Sequence, residues 1–304
     1  MTSSTHKSGF VAIVGRPNTG KSTLVNALVG KKIVITSKHP NTTRNPIRGI
    51  ITRDSFQMVV VDTPGMHKPK TLLGNRLNEM VVENLTSVDA AVLCLPADEE
   101  IGAGDEYIAA QLKGIKNVYV VLTKVDRVVK DTIAEQLTDI AHFVAKNGID
   151  VKEIVPISAS KGIQTELLMN LLVDALPESP ALYPDDMDTD QASELTIAEL
   201  IREAAIAGVY EEVPHSIVVT VDEFSPREGK ENFFDIHATI HVERDSQKGI
   251  IIGQRGSRLK EIGTTARVSI ETFLGAKCFL GLHVKVSKDW QKDPKLLHRF
   301  GFTE

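Results

Sequence analysis

The sequence is poor in cysteine, in aromatic residues and in long hydrophobic runs. Its 304 residues include two cysteines, Cys94 and Cys278, which lie far apart in apolar stretches. We therefore expect buried free thiols in a reducing cytoplasm, and neither a disulfide nor a metal-binding pair. No run approaches the roughly 18 apolar residues of a membrane-spanning helix. Residues 1–8 form a polar tail without the apolar core of an export signal. These absences argue against a spanning segment and leave attachment to a membrane surface open.

An excess of positive charge is also absent. The chain has 35 lysines and arginines against 40 aspartates and glutamates, a formal net charge of −5. This balance argues against a protein that coats nucleic acid with its whole surface, although it says nothing about local basic patches. The nine histidines are scattered without the spacing of metal ligands. The length is sufficient for two domains, each with its own hydrophobic core.

Strand-like and helix-like segments alternate through the first 176 residues. Three strand candidates are almost continuous apolar runs, as expected for strands that are buried on both faces of a parallel sheet. The turn-forming residues 53–55 separate two other candidates and predict one antiparallel hairpin at an edge. The pattern predicts a doubly wound α/β domain with a mixed, mostly parallel sheet. The strand candidates are residues 11–15, 47–52, 56–62, 90–96, 117–123 and 153–157, and the clearest helix candidates are 72–85, 104–113 and 130–147.

Proline and aspartate accumulate after residue 176. Residues 177–190 contain three prolines and four aspartates, a composition typical of a linker. Beyond it the order of elements changes to helix, strand, strand, helix, helix, strand, which predicts a separate α+β domain. The predicted organisation is a polar tail (1–8), an α/β domain (9–176), a linker (177–192) and an α+β domain (193–304).

Residues 15–22 fit the phosphate-binding pattern G-x-x-x-x-G-K-[ST]. A short apolar strand precedes them and a short helix ending at Gly30 follows, which is the context that a phosphate loop requires. In such a loop backbone N–H groups converge on phosphate oxygens, Lys21 reaches the β- and γ-phosphates, and Ser22 ligates Mg²⁺. A glycine-rich turn without a ligand is the alternative. The predicted nucleotide contacts come from Gly15, Arg16, Pro17, Asn18, Thr19, Gly20, Lys21, Ser22 and Thr23.

Further segments follow in the order that GTP hydrolysis needs. Asp62 closes an apolar strand, where it is expected to hold Mg²⁺ through water, and the Gly65 N–H is expected to contact the γ-phosphate. Thr43, in a polar loop after the first helix, is the hydroxyl expected to join the Mg²⁺ shell when triphosphate is bound. Taken singly, these residues have ordinary explanations, namely a strand-to-turn aspartate and a hydroxyl-rich loop.

Two segments predict recognition of guanine. The Asp126 carboxylate can accept hydrogen bonds from guanine N1–H and the 2-amino group, a donor pair that adenine lacks, while Lys124 lies along the base. The usual form of this motif is Asn-Lys-x-Asp; Thr123 keeps a hydroxyl in the first position but loses the amide, which puts the bracing of the loop in doubt. The second segment follows the last strand, and its backbone is expected near guanine O6; it comprises Ser158, Ala159 and Ser160.

Together these elements resemble the translation-factor-related GTPases, and more narrowly the group of Era, TrmE and Der. Met66 stands where Ras-type proteins carry the glutamine that orients the attacking water, which matches the subgroup with a hydrophobic residue there. Catalysis then rests on position and electrostatics. In several relatives a phosphate-loop asparagine helps to bind K⁺, so the resemblance implies K⁺ activation, along with low intrinsic turnover. The predicted catalytic residues are Lys21, Thr43, Gly65 and Asn18.

The second predicted domain carries a different signal. An apolar helix end runs into Gly-Gln-Arg-Gly at residues 253–256 and then into a basic helix, as in KH domains, where this loop lets a single-stranded backbone approach closely. Residues 244–299 contain 12 lysines and arginines against 5 acidic residues, an excess of seven positive charges around the loop. A plain helix–helix turn is the alternative. We expect Trp290, the only tryptophan, to pack within the domain. The predicted RNA-binding residues are Lys248, Ile252, Gly253, Gln254, Arg255, Gly256, Arg258 and Lys260.

A P-loop GTPase domain followed by an α+β KH domain of the second topology resembles the Era GTPase family over nearly the whole chain. Residues 15–22, 62–65, 212–216, 252–256 and 284–286, with Trp290, carry this resemblance. It implies GTP, GDP and Mg²⁺ as ligands, binding near the 3′ end of 16S ribosomal RNA, a role in 30S subunit assembly, and some peripheral association with the inner membrane. We expect a monomer and no DNA partner.

Two other functions stay open. One is that of a GTPase partner in tRNA modification of the TrmE kind, which would need a C-terminal catalytic cysteine and an N-terminal folate-binding domain that are not evident here. The other is that of a ribosome-binding module in which hydrolysis is vestigial. Turnover measured with and without RNA separates this second function from that of a switch.

Overall fold

The structure, a computed structural model, describes residues 6–36, 44, 46–66, 69, 71–209 and 213–302. The predicted Mg²⁺ ligand Thr43 lies outside the described residues. The chain divides into two compact units. The first runs through Asp190, and the second begins at Gln191 and also takes in Thr71–Leu73. None of the described helices is long and apolar enough to cross a bilayer.

The first unit is a six-stranded sheet with helices on both faces. Its strand order is β2-β3-β1-β4-β5-β6, and every pair is parallel except β2 with β3. The hairpin predicted from residues 53–55 is confirmed, because Arg53 pairs with Phe56 across a two-residue turn. The elements are β1 (Lys7–Val14), α1 (Lys21–Val29), β2 (Ile47–Arg53), β3 (Phe56–Asp62), α2 (Leu72–Thr86), β4 (Ala90–Pro96), α3 (Ala103–Gln111), β5 (Val118–Thr123), α4 (Lys130–Asn147), β6 (Val151–Pro156) and α5 (Thr165–Ala175).

The central strands are buried on both sides. All seven residues of β4 are buried, and they alternate between two hydrophobic cores, with Val92 and Cys94 facing one and Leu93 the other. This is why these strands are continuous apolar runs. Burial raises the pKa of the Cys94 thiol to about 12, so it is an inert core residue, as expected. The sheet thus holds the loops at its carboxyl edge on a rigid base.

Residues 177–190, which we call the strap, are bound to the first unit, so the linker expected at 177–192 is wrong for most of its length. The strap starts beside β1, where the Ser8 N–H donates to the Pro177 carbonyl at 3.1 Å. Its middle lies on Gln57, which is fully buried in β3. The Gln57 Oε1 accepts from the Leu182 and Tyr183 N–H groups, and its Nε2 donates to the Tyr183 carbonyl. A buried amide needs such partners, and the strap supplies them.

The second unit is a three-stranded sheet with helices packed on it. Strand β7 pairs antiparallel with β8, and β8 pairs parallel with β9. The predicted helix, strand, strand, helix, helix, strand order is present, with short additional helices. The elements are α6 (Ser193–Ile206), α7 (Val213–Ser216), β7 (Val218–Pro226), β8 (Phe233–Val242), α8 (Asp245–Ile252), α9 (Ser257–Leu274), β9 (Lys277–Val286) and α10 (Pro294–Arg299).

Two buried side chains tie the C-terminal segment to this sheet. Trp290 is fully buried, donates its indole N–H to the Ser216 carbonyl at 2.8 Å and stacks on Phe302, so it packs within the unit as expected. His241 lies against the Phe300 ring, with 4.8 Å between ring centroids. Burial, with a smaller contribution from Lys285, lowers the pKa of His241 to about 4.

Candidate functional site

A cavity of about 510 Å³ opens at the carboxyl edge of the first sheet. Loops that follow β1, β3, β4 and β5 meet there, as is usual for ligand sites in open α/β sheets. Predicted nucleotide contacts that line it are Pro17, Asn18, Gly20, Lys21, Ser22, Thr23, Gly65, Thr123, Lys124, Asp126, Ala159 and Ser160. The other predicted contacts, Gly15, Arg16, Thr19, Asp62 and Ser158, do not line it.

The phosphate loop has a backbone shape that suits its residues. Gly20 has φ 94° and Asn18 has φ 64°, the left-handed region that glycine and asparagine tolerate best. A Cβ on Gly15 would lie 2.8 Å from the Cys94 carbonyl oxygen, so only glycine fits against β4. The loop ends at the N-terminus of α1, where backbone N–H groups favour an anion.

Lys21 lies inside the loop that it serves. Its Nζ donates to the carbonyls of Gly15 and Arg16 at 3.0 and 2.6 Å. Burial lowers the pKa of this ammonium, and the nearby Asp62 carboxylate partly opposes the shift. A buried cation that faces a cavity is favourable for a phosphate, because the phosphate's negative charge compensates for the lost water.

The predicted Mg²⁺ ligands Ser22 and Asp62 are in contact. The Ser22 hydroxyl donates to Asp62 Oδ2 at 2.9 Å. A hydroxyl and a carboxylate beside a phosphate loop are the hard oxygen donors that Mg²⁺ prefers near phosphates, so these residues fit the ion. The described residues contain no cluster of three or more histidine, cysteine or acidic side chains that would suit a different metal.

Gly65 and Met66 follow the strand that ends in Asp62. A Cβ on Gly65 would lie 2.8 Å from both the N and Cα atoms of Pro17, so this glycine allows close contact with the phosphate loop. The Met66 side chain is fully buried, and its N–H donates to the Gly15 carbonyl at 3.2 Å. Met66 is therefore a core residue, which agrees with its inability to orient a water molecule.

Thr123 braces the phosphate loop. Its buried hydroxyl donates to the Thr19 carbonyl at 2.6 Å, and the Leu95 carbonyl is a second acceptor at 3.3 Å. Although threonine replaces the usual asparagine, its hydroxyl forms a direct hydrogen bond between the base-recognition segment and the phosphate loop. The Thr123 hydroxyl thus forms a bracing hydrogen bond at this position.

Acidic residues after β4 form a charged rim that the sequence motifs do not reveal. Asp98 accepts from Lys124 Nζ and from Arg127 Nη1, both at 3.1 Å. Although burial raises the pKa of Asp98, these two donors hold it below its usual value. Arg16 is held away from the cavity by Glu99 at 3.2 Å and by the buried Asp105 at 2.8 Å. The Asp-Glu-Glu run that begins two residues after an apolar strand was the available signal for this rim.

The segment after β6 closes the base side of the cavity. The Val125 N–H donates to the Ile157 carbonyl at 3.3 Å. This bond links the segment after β6 to the loop that carries the exposed Asp126. Ser158 is fully buried, with its hydroxyl 3.2 Å from that of Ser160. Ser158 therefore supports the loop from behind, while Ala159 and Ser160 face the cavity.

In the second unit, residues 253–256 join α8 to α9 as predicted. Gly253 has φ 71°, and a Cβ there would lie 2.7 Å from the Arg258 Cβ. Gly256 has φ 79° with open space around it. Gln254, Arg255 and Lys260 are exposed, while Lys248 and Ile252 are half-buried. The loop thus presents backbone and positive charge to solvent, as binding of a nucleic-acid backbone requires.

Arg258, one of the predicted RNA-binding residues, also contacts the end of α6. Its guanidinium Nη2 donates to the Ala207 carbonyl at 2.6 Å and to the Ala205 carbonyl at 3.4 Å. These carbonyls end α6, where the backbone lacks helical partners. Arg258 therefore holds α6 to α9 within the second unit.

Comparisons with known proteins agree with both units. A family described as 50S ribosome-binding GTPase matches residues 10–124, and a KH domain family matches residues 212–291. The GTPase Era of Mycobacterium tuberculosis (strain H37Rv) is 54% identical over 299 residues, which is 97% of this chain and 98% of that protein. The GTPase Era of Mycobacterium avium (strain 104) is 53% identical, with 97% and 99% covered.

Two solved structures have the same fold over both units. One is an Era in complex with MgGDPNP and nucleotides 1506–1542 of 16S ribosomal RNA, with a TM-score of 0.91 and 38% identity over 98% of this chain and 100% of that one. The other is an Aquifex aeolicus Era variant bound to GDP and AlF₄⁻, with a TM-score of 0.91 and 37% identity over 98% and 100%.

Proposed function

The chain belongs to the Era family of GTPases, and from that premise we propose that it is a GTP-driven switch whose second unit binds ribosomal RNA. As a member of this family it hydrolyses GTP to GDP and phosphate. The observation that carries the proposal is the cavity that Lys21, Asp126 and Gly65 all line. One nucleotide can contact the phosphate loop, the base-recognition segment and the γ-phosphate glycine from this one position.

Each part of the cavity has a role in the proposed hydrolysis. Lys21 neutralises phosphate charge, and the Gly65 N–H donates a hydrogen bond to the γ-phosphate. Ser22, Asp62 and Thr43 would hold Mg²⁺, which when bound supplies positive charge to the β- and γ-phosphates. Because Met66 is buried in the core, water activation does not involve this side chain. Without a water-orienting side chain at this position, intrinsic turnover is expected to be low.

Asp126 is the residue to test for base selection. Asp126→Asn replaces an acceptor pair with an amide, so the preference for GTP should fall and xanthosine triphosphate, which carries an acceptor in place of the 2-amino group, should be favoured. Competition of both nucleotides against a fluorescent GDP measures the shift. An unchanged GTP preference would overturn the assignment of Asp126 to the base.

Asn18 is the candidate for activation by K⁺. It lines the cavity and has φ 64°, in the left-handed backbone region. The proposal rests on the family resemblance. Turnover in KCl should exceed turnover in NaCl at equal ionic strength, and Asn18→Ala should remove the difference. Equal rates of the unmodified chain in the two salts would refute K⁺ activation.

For the second unit we propose binding near the 3′ end of 16S ribosomal RNA and a role in 30S assembly. Support comes from the relative whose structure holds nucleotides 1506–1542 of that RNA and from the exposed loop at residues 253–256. Arg255→Asp with Gly256→Asp should abolish retention of this RNA on a filter and leave GTP affinity intact. Retained RNA would refute the assignment of the loop.

The setting of this activity is also a proposal. Family membership favours a monomer in the cytoplasm, with some peripheral association with the inner face of the cell membrane and no DNA partner. Sedimentation of the chain alone tests whether it is a monomer. Sedimentation with anionic vesicles tests whether it associates with a membrane surface. A ribosome-binding module with vestigial hydrolysis is the competing function. It predicts that RNA leaves multiple-turnover GTP hydrolysis unchanged, whereas a switch predicts a changed rate.

A further inference from the structure

The strap is held differently along its length. Its start and middle are fixed by backbone bonds beside β1 and by the fully buried Gln57. Its end has two ion pairs at the surface: Lys31 pairs with Asp188, and Arg48 Nη1 donates to Asp190 Oδ2 at 2.8 Å. One backbone bond, from the Ile50 N–H to the Asp188 carbonyl at 2.8 Å, lies between them.

Both basic partners lie on elements that lead to the nucleotide cavity. Lys31 follows α1 by two residues, and α1 begins at Lys21 in the phosphate loop. Arg48 lies in β2 opposite Val61, and the neighbouring pair joins Ile47 to Asp62, the predicted Mg²⁺ residue. A shift of α1 or of the β2–β3 hairpin therefore acts directly on the end of the strap.

The other side of the strap leads to the second unit. Asp190 is the last residue of the first unit, and Gln191 is already part of the second. The strap therefore belongs to the first unit up to the residue that precedes the second unit, where a linker of 16 residues was expected. Asp190 also accepts from the Tyr183 hydroxyl at 3.1 Å, so Arg48 and the middle of the strap hold the same carboxylate.

From these contacts we propose that Asp188 and Asp190 couple the nucleotide site to the RNA-binding unit. Binding of different nucleotides changes the grip of Lys31 and Arg48 on the strap, and the strap passes that change to Gln191. The inference rests on the proposed function, since it needs a chain that binds both nucleotide and RNA. Exposed ion pairs of this kind contribute up to about fivefold each to an equilibrium constant, which suits a modest coupling.

The test compares RNA affinity in two nucleotide states. The dissociation constant for an RNA of nucleotides 1506–1542 of 16S ribosomal RNA is measured with GDP and with GDPNP, and the ratio of the two is the coupling. Arg48→Asp and Asp190→Arg should each move this ratio toward one by about three- to fivefold. The charge swap of Arg48→Asp with Asp190→Arg should restore it, since the ion pair is re-formed in reverse.

Controls separate coupling from general charge effects and from unfolding. Asp186→Arg makes the same charge change at another exposed position of the strap and should leave the ratio unchanged. Every variant should still bind fluorescent GDP, which shows that the first unit is folded, because no substituted residue lines the cavity. Lys31→Asp, Asp188→Lys and their swap repeat the design at the second pair.

Three outcomes would overturn the inference. Single reversals could leave the ratio as in the unmodified chain, or Asp186→Arg could change it as much as Asp190→Arg does. The unmodified chain could also bind the RNA and hydrolyse GTP with a ratio of one, which would remove the coupling and leave the proposed function standing. Failure to bind the RNA in either state would instead overturn the proposed function itself.

Discussion

Replacing Thr123 by valine removes one hydroxyl from the wall between phosphate loop and base-recognition segment. The two side chains have nearly the same shape, so the change isolates the hydrogen bond to the Thr19 carbonyl at 2.6 Å. Thr123 is 2% exposed, so no bulk water replaces the lost donor. Loss of such a bond costs about 1–2 kcal/mol of unfolding free energy. For a unit of this size that corresponds to a fall in Tm of about 2–8 °C.

Nucleotide affinity should fall as well. The bond orders the phosphate loop before the nucleotide arrives, so its loss adds an ordering cost to binding. That cost cannot exceed the free energy of the bond, which limits the loss of GDP affinity to roughly 30-fold. Thermal unfolding monitored by circular dichroism and titration with a fluorescent GDP measure the two effects.

Thr123→Ser is the matched control. Serine keeps the hydroxyl and loses one methyl group, which should cost less than about 1 kcal/mol. A stabilising role of the hydroxyl is contradicted if Thr123→Val leaves Tm within about 1 °C and GDP affinity within about twofold of the unmodified chain. It is also contradicted if serine and valine reduce both quantities equally, because the hydroxyl would then be irrelevant.

Three further predictions concern other parts of the molecule. Gly65→Ala places a Cβ 2.8 Å from Pro17 backbone atoms, so single-turnover GTP hydrolysis should fall roughly tenfold or more while GDP affinity changes little; unchanged hydrolysis would contradict the close contact. The pKa of His241 is lowered from its usual 6.5 to about 4, so stability that is complete above pH 6.5 is lost as the pH falls toward 4. Between pH 7 and pH 5 the second unit should lose about 2 kcal/mol in urea unfolding, and His241→Gln should remove most of this loss. Gly253→Ala should weaken RNA binding more than Gly256→Ala, because both have positive φ but only Gly253 meets Arg258; equal RNA affinities would count against that contact.

Much of the first unit could be predicted because its strands are buried on both faces. Strands β3 and β4 and helix α4 have the bounds that their apolar patterns indicate. Strand β1 begins earlier than expected, at Lys7, because its polar first residues pair with Phe56 and its neighbours in β3. Pairing of this kind depends on the backbone of another strand, which side-chain hydrophobicity does not reveal.

The strap and Arg258 illustrate a second limit of sequence patterns. Proline and aspartate predict an unattached linker, but the buried Gln57 and the surface cations Lys31 and Arg48 bind this segment to the sheet. In the same way, positive charge beside residues 253–256 predicts RNA contact, and it gives no sign that the Arg258 guanidinium also donates to the end of α6. Composition gives the charge of a residue and not the direction in which its side chain lies.

The strap also covers an edge of the sheet. β2 is the terminal strand in the order, and an uncovered edge strand exposes N–H and C=O groups that can pair with a second molecule. The Asp188 carbonyl accepts a hydrogen bond from the Ile50 N–H on that edge, and the ion pair of Arg48 with Asp190 lies beside it. A first unit cut at residue 176 would lose this cover and leave Gln57 without its partners in the strap. An isolated GTP-binding unit should therefore resist edge-to-edge aggregation only when it extends to Asp190.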